Sequence, residues 1–412
     1  MRTIEEHAAA VRALLAPIVH QLGADPVSAP IGALAARSAS FPGPVALAAP
    51  MRTPIDLPPF RNSQMDGFAI RSTDSGHSVE IAPPIAAGAA AGVLAPGTAA
   101  PIMTGAPLPD GADAVVPVEA VPPGSFPASL ALRTLRVPPT PAGAFVRDRG
   151  SDARAGTTLA EAGEPVTPAV LGLAAASGID TIAVARPVRV LVVSTGSELA
   201  GPSGAAPADP RAAIRDANGL ALAAALAEVG AHVTRAVSSD DPDALLDVLR
   251  GHASDADVIL TTGGISAGAY EVVRQALGPR GLALVSVALQ PGGPQGLGSV
   301  DFGAVTLPVI AFPGNPVSAL VSFELFLRPV LAAAVGVAPR ERAEARAGEP
   351  IASPEDKHQV RRGTVVDGAI RLVGGASSHL LAHYAAATHL VHIPVGVAHV
   401  APGDTLSTWR IR

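Results

Sequence analysis

Val188-Arg189-Val190-Leu191-Val192-Val193, followed at once by Ser194-Thr195-Gly196-Ser197-Glu198, is the stretch whose reading decides the fold. All but one of its first six residues are apolar, and most are β-branched, which is the composition of a strand buried on both faces. A helical pattern follows over Asn218 to Val229, a strand pattern over His232 to Val237, a helix over Pro242 to Leu249 and a strand over Asp257 to Leu260. Beyond them come a helix over Tyr270 to Leu277, an extended run over Leu282 to Leu289, a strand over Val305 to Ala311 and a long helix over Pro316 to Ala334. Such alternation between Arg186 and Gly336 predicts an α/β domain of parallel strands with covering helices.

Outward from this core the pattern changes. Ile4 to Val19 carries Ala8, Val11, Leu14, Leu15 and Ile18 at helical spacing, and Pro165 to Gly178 is also helix-like. From Phe41 to about Pro141 short apolar runs are broken by Pro58-Pro59, Pro83-Pro84, Ala95-Pro96-Gly97 and Pro109-Asp110-Gly111, which predicts a β-rich module. The tail from about Ala345 to Arg412 returns to short runs and predicts a small all-β domain.

Composition narrows the chemistry. The chain has 412 residues, no cysteine, and one lysine, Lys357, in a Lys+Arg total of 29. Disulfides, thiolate nucleophiles, Fe–S clusters and cysteine zinc sites are excluded. Lys357 lies in Ser353-Pro354-Glu355-Asp356-Lys357-His358, which reads as a solvated loop. A net charge of −6 and few aromatics (9 Phe, 2 Tyr, 1 Trp) argue against nucleic-acid binding. The opening Met1-Arg2-Thr3-Ile4-Glu5-Glu6-His7 lacks the pattern of a signal peptide, and no membrane insertion is expected, so the expected compartment is cytoplasmic. His7, His20, His77, His379, His383, His389, His392 and His399 read as scattered surface histidines, and no zinc is assigned.

In a parallel α/β sheet the ligand crevice lies beyond the carboxyl ends of the strands. Three strand endings share a character there: Ser194-Thr195-Gly196-Ser197-Glu198, Thr261-Thr262-Gly263-Gly264-Ile265-Ser266 and Phe312-Pro313-Gly314-Asn315-Pro316. Glycines admit a ligand to the backbone, hydroxyls and free N–H groups hold anions, and Asn315-Pro316 suits a helix start. The inferred ligand is a phosphorylated or anionic small molecule. Glu198, Asp240-Asp241 and Glu271 stand near the same edge, and carboxylates beside a phosphate cradle imply a divalent cation, most often magnesium. Asp240-Asp241-Pro242 also suits a plain helix start.

Several segments resemble one family in order. Asn62-Ser63-Gln64-Met65-Asp66-Gly67-Phe68-Ala69, the stretch Thr104-Gly105-Ala106-Pro107-Leu108-Pro109-Asp110-Gly111-Ala112-Asp113-Ala114-Val115-Val116, and Arg147-Asp148-Arg149-Gly150-Ser151-Asp152-Ala153-Arg154-Ala155-Gly156 are similar to its signatures. Ser194-Thr195-Gly196-Ser197-Glu198-Leu199 and Pro313-Gly314-Asn315-Pro316-Val317-Ser318-Ala319 complete the series. The family is the molybdopterin molybdenumtransferases, which include the E domain of gephyrin.

The resemblance implies an elongated α/β multidomain homodimer with a discontinuous helical domain (1–44 plus 138–184), an inserted β domain (45–137), a Rossmann-like α/β molybdopterin-binding domain (185–337) and a C-terminal β-barrel-like domain (338–412). It implies an enzyme that uses magnesium and molybdate to convert adenylylated molybdopterin into molybdenum cofactor with release of AMP. The cleft would lie between the α/β domain of one subunit and the β domain of the other. Carried over by position, Asp66, Asp152, Glu198, Asp240 and Glu271 match acidic active-site positions, with Glu198, Asp240 and Glu271 as the magnesium set. Thr262, Gly263, Gly264, Ser266, Pro313, Gly314 and Asn315 match the pterin-phosphate cradle, Ser194, Thr195 and Gly196 join them as cofactor-binding residues, Ser378 matches a serine of the C-terminal domain, and Arg274 stands at a usual lysine. The family's K-P-G-[KL]-P segment reads Gln290-Pro291-Gly292-Gly293-Pro294 here, an upstream basic position is Ser286, and a C-terminal asparagine is Thr388. Two expectations follow: a transferase in which Gln290, backbone N–H groups and arginines bind the oxyanion, or a gephyrin-like dimeric scaffold that binds another protein. The retained carboxylates favour the first and the missing lysines the second, and the enzyme is put ahead.

Overall fold

The computed structural model describes the chain except for residues 86, 87, 89–91, 201–213 and 266–270. Two compact units form, one from Met1–Ala49, Ala162–Val166 and Thr181–Arg412, the other from Pro50–Glu161 and Thr167–Asp180.

In the first unit Arg189–Thr195 is the strand expected from its composition. Val190 and Val192 enter one hydrophobic cluster while Leu191 and Val193 enter another, so the strand is buried on both faces and its apolar run is unbroken. His232–Ser238, Arg189–Thr195, Val258–Thr262 and Thr306–Phe312 lie parallel in that order.

Two further strands, Pro294–Asp301 and Ala283–Ser286, extend the sheet antiparallel, which departs from the all-parallel expectation. The first of them was not anticipated because Gly296 and Gly298 interrupt its apolar pattern. Packing requires both glycines: a Cβ on Gly298 would lie 2.2 Å from the Gly281 carbonyl oxygen, and one on Gly296 would lie 2.9 Å from the Ala311 Cβ.

The helix Ile4–Ala24 starts at a capping box, with Glu6 N donating to Thr3 Oγ1 at 3.1 Å and Thr3 N to Glu6 Oε2 at 2.9 Å. Its Val11, Leu15 and Leu22 join the larger sheet core. His7 is fully buried edge-on against Phe326, contrary to the surface reading, and burial, then the charge of Arg2, lowers its pKa to about 4. Pro316–Ala334 has the length and apolarity of a membrane-crossing helix, but 72% of it is buried inside the protein, where it is a core helix.

The C-terminal strands form a closed five-stranded barrel in the order His358–Val366, Ala369–Leu372, Arg342–Ala347, Thr405–Arg410 and His389–Ile393, the last pairing back onto the first. Leu289–Gln290 joins this barrel by parallel pairing with His358 and Gln359, which ties it to the α/β body. His392 is also buried rather than exposed: it lies 3.0 Å from His358 and packs on Trp409. Burial, then His358 and Arg342, lowers its pKa to about 3.

The second unit is built on a five-stranded sheet in the order Ala114–Pro117, Gly67–Ile70, Thr98–Ile102, Ser78–Ile81 and Thr134–Arg136. Its core comprises residues such as Phe68, Ile70, Val79 and Val116. Helix Pro168–Ala176 is capped by Thr167, which accepts from Val170 N at 3.3 Å.

Candidate functional site

Within the first unit the carboxyl ends of the parallel strands open onto a cleft of about 1350 Å³. Ser194, Thr195, Gly196 and Glu198 line it from one strand end, Thr262, Gly263 and Gly264 from the next, and Pro313, Gly314 and Asn315 from the third. Asp240, Glu271, Gln290 and Ser378 also line it. Ser266 falls outside the described residues. Arg274 is not among the lining residues; its backbone N donates to Gly264 O at 3.2 Å, as Val273 N does at 3.1 Å.

The glycines act through shape. Gly263 has φ +98°, and a Cβ there would lie 2.7 Å from Thr195 Oγ1. On Gly196 a Cβ would meet the Glu198 carboxylate at 2.6 Å, so that carboxylate folds over a backbone bare of side chain.

Two residues outside the sequence expectations cross-brace the three loops. Asp216 caps the helix Ala217–Ala227 by accepting from Gly219 N at 2.8 Å, and the same Oδ1 accepts from Ser194 Oγ at 2.7 Å. Asn218 Nδ2 donates to Thr262 Oγ1 at 2.9 Å and to Gly314 O at 2.7 Å. Because the Gly314 carbonyl can only accept, the amide orientation of Asn218 is set. Thr262 Oγ1 in turn donates to Pro313 O at 3.1 Å. An Asp-x-Asn triplet opening the helix after the first crevice loop was the available signal.

Asp240 and Asp241 divide their work. Asp241 accepts from Ala244 N at 2.8 Å as a helix cap, whereas Asp240 Oδ2 accepts from Ser197 N at 2.9 Å and joins the neighbouring loop. Asn315 occupies the cap position of the next helix without a side-chain bond, and Val317 N donates to Ser378 O at 3.1 Å, which brings the barrel loop to the cleft. Fully buried Arg362 donates from Nη2 to the Gly375 and Ser377 carbonyls, and Arg361 Nη2 donates to Gly374 O at 3.0 Å, so two buried arginines hold that loop. Lys357, read from the sequence as a solvated loop residue, lines the cleft together with Ser286.

Among the described residues no group of three or more His, Asp or Glu side chains is gathered for a metal. The carboxylates of Glu198, Asp240 and Glu271 are hard oxygen donors that line this cleft. Magnesium is typically held by one or two carboxylates with phosphate oxygens and water, so this donor set fits it without a complete protein cage.

Asp66 and Asp152 belong to the second unit. Asp66 Oδ1 accepts from Thr104 N at 2.7 Å and from Thr104 Oγ1 at 2.8 Å; these bonds, the backbone one first, hold its pKa below the usual carboxylate value. Asp152 N donates to Leu57 O at 2.9 Å in a loop organised by Asp56, which accepts from Ala155 N at 2.8 Å and Arg149 Nε at 2.6 Å. Asp56 was not anticipated as an organiser, since a lone aspartate before Leu57-Pro58 carries no pattern.

Known proteins match this arrangement. Residues 3–178 match a family described as the MoeA N-terminal region (domain I and II), and residues 191–333 match a probable molybdopterin binding domain. Molybdopterin molybdenumtransferase 2 of Mycobacterium tuberculosis H37Rv is 43% identical over 379 residues, covering 87% of this chain and 90% of the relative. Molybdopterin molybdenumtransferase 1 of the same strain is 34% identical over 384 residues, covering 84% and 88%. The crystal structure of a molybdopterin biosynthesis MoeA protein from Pyrococcus horikoshii OT3 shares the fold, with TM-score 0.73 and 22% identity over the whole of both chains. The matched domains and the relatives covered over most of their length agree, and the chain belongs to the molybdopterin molybdenumtransferase family.

Proposed function

We propose that this chain is the enzyme that inserts molybdenum from molybdate into adenylylated molybdopterin, releasing AMP and giving molybdenum cofactor. The observation that carries the reading is the braced cleft, where three Gly/Ser/Thr strand ends, carboxylates and a barrel loop converge in a chain 43% identical to a named transferase. The backbone and hydroxyls at Ser194 to Gly196, Thr262 to Gly264 and Pro313 to Asn315 would orient the pterin and its phosphates. Magnesium, held by one or two of the Glu198, Asp240 and Glu271 carboxylates with phosphate oxygens and water, would neutralise phosphate charge. Positioning and electrostatics supply the rate, and no protein nucleophile is required, in keeping with the absence of cysteine.

Asp66 and Asp152 enter this reading through a homodimer, each serving the cleft of the other subunit. The four-domain partition inferred from the sequence and a cytoplasmic location belong to the same proposal. The missing basic residues at Gln290, Gly293 and Ser286 speak for a gephyrin-like scaffold, but the named relatives are transferases and favour the enzyme. Incubating the purified chain with adenylylated molybdopterin, magnesium and molybdate tests the assignment: AMP release dependent on molybdate is expected, and its absence with folded protein overturns it.

A further inference from the structure

We infer that Arg362, a fully buried cation of the barrel strand His358–Val366, is a positioning residue of the cleft: it latches the loop 375–378 so that Ser377 and Ser378 meet the substrate at a fixed place; this rests on the transferase reading above. Arg362 pairs with Leu390 of the neighbouring strand, and its own carbonyl accepts from Val373 N at 2.9 Å where the chain leaves the hairpin. Its Nη2 then donates to the carbonyls of Gly375 and Ser377, the latter at 3.2 Å. Side chains of consecutive strand residues leave on opposite faces, so Arg361, whose Nη2 donates to Gly374 O at 3.0 Å, grips the same loop from the other side.

For the barrel alone this arginine is an expensive choice. Among the described residues Arg362 has no ion pair, and its Nε and Nη1 are buried without a partner. Burial, then the charge of Arg361, lowers its pKa. A buried cation without an anion costs stability, and an apolar side chain would fill the same space at less cost. What the guanidinium does accomplish lies in the loop. Ala376, Ser377 and Ser378 line the cleft, while Gly375 O and Ser377 O turn back onto Arg362 and Ser378 O accepts from Val317 N at 3.1 Å. The loop is thus tied at two carbonyls to the barrel and at a third to the helix that begins at Pro316, directly after the crevice residues Pro313, Gly314 and Asn315. Releasing the barrel ties frees Ser377 and weakens the Ser378 bond that joins the barrel loop to the crevice loop. Groups held in place before a ligand arrives lose less freedom on binding it, which is what a latch of this kind contributes.

Steady-state AMP release by the full chain, at a temperature where circular dichroism shows it folded, tests the latch. Arg362→Gln is expected to raise KM for adenylylated molybdopterin about tenfold or more, and Arg362→Lys, which keeps the charge and its donors on a shorter stem, to recover part of that loss. A residue that only supported the fold would lower the amount of active protein and leave KM as it is. Hydrogen exchange read by mass spectrometry, without substrate, is expected to quicken about tenfold or more in peptides covering 316–319 and 374–380 of Arg362→Gln, and to stay at the parent rate in the strand Arg189–Thr195. KM unchanged in folded Arg362→Gln, exchange unchanged in those peptides, or exchange quickened throughout the chain overturns the inference. If Arg362→Gln does not fold, Arg362→Lys decides: KM and local exchange equal to the parent's overturn the latch, and a rise in both supports it. Quickened local exchange in a chain whose parent releases no AMP would keep the latch and sink the transferase reading. AMP release with KM and exchange intact in Arg362→Gln would do the reverse.

Discussion

Thr262→Val removes one hydroxyl and little volume from the centre of the brace, which makes it a sharp test of how the cleft is held. Thr262 is 2% exposed; its Oγ1 accepts from Asn218 Nδ2 at 2.9 Å and donates to Pro313 O at 3.1 Å. Losing two buried hydrogen bonds at about 1 kcal/mol each, and leaving the Pro313 carbonyl short of a donor for about 1 kcal/mol more, gives a destabilisation of about 2–4 kcal/mol. Thr262→Ser keeps the hydroxyl and loses only a methyl, for about 1 kcal/mol. Urea unfolding followed by far-UV circular dichroism would measure both. Because Asn218 shares the bond, Thr262→Val and Asn218→Ala should be non-additive, with a coupling of about 1 kcal/mol. The KM for the pterin substrate should rise in Thr262→Val, since the Thr262 and Pro313 loops lose their common tie. A valine variant within about 0.5 kcal/mol of the parent, or a serine variant equally damaged, would refute the brace.

Asp66→Ala is expected to abolish cofactor synthesis while leaving the fold intact, and full activity in a transferase-deficient host would contradict the assignment. Thr104→Val should raise the Asp66 pKa part of the way toward its ordinary value in an NMR titration, because it removes the hydroxyl bond and leaves the larger backbone bond in place. The stability from that depressed carboxyl is present above the unfolded pKa and is lost as pH falls through the lowered folded value. Gly263→Ala should destabilise the chain by about 1–3 kcal/mol and impair turnover, since φ +98° and a 2.7 Å approach to Thr195 Oγ1 leave no room for a Cβ; unchanged melting would count against that geometry. His392 binds a proton far less readily when folded, at about 3, so the unfolded chain binds more protons between that value and its ordinary 6.5. Stability should therefore fall with falling pH across this window, by about 1.4 kcal/mol per unit at most, and His392→Phe should flatten that part of the profile of melting temperature against pH.

The α/β body was legible because its central strand is buried on both faces, which forces the unbroken apolar run Val190 to Val193. The crevice loops were legible for a related reason: turns that approach a ligand need glycine and small hydroxyl residues, and those recur after three of the four parallel strands. By contrast, the strand Pro294–Asp301 was hidden by Gly296 and Gly298, whose demand comes from neighbours rather than from the strand itself. His7 and His392 misled the reading because a histidine does not announce its own burial; only the packing of Phe326 and Trp409 around them determines it.

The candidate site divides in the same way. By itself the sequence determined the family, the sheet and the chemical character of the strand-end loops, since each is written in local residue types and their order. Tertiary structure alone decided which side chains work together: Asp216 with Ser194, and Asn218 with Thr262 and Gly314. The physical reason is separation along the chain. Hydrogen bonds and charges act over a few ångströms, and residues tens of positions apart come within that reach only when strand register and barrel closure bring their backbones together.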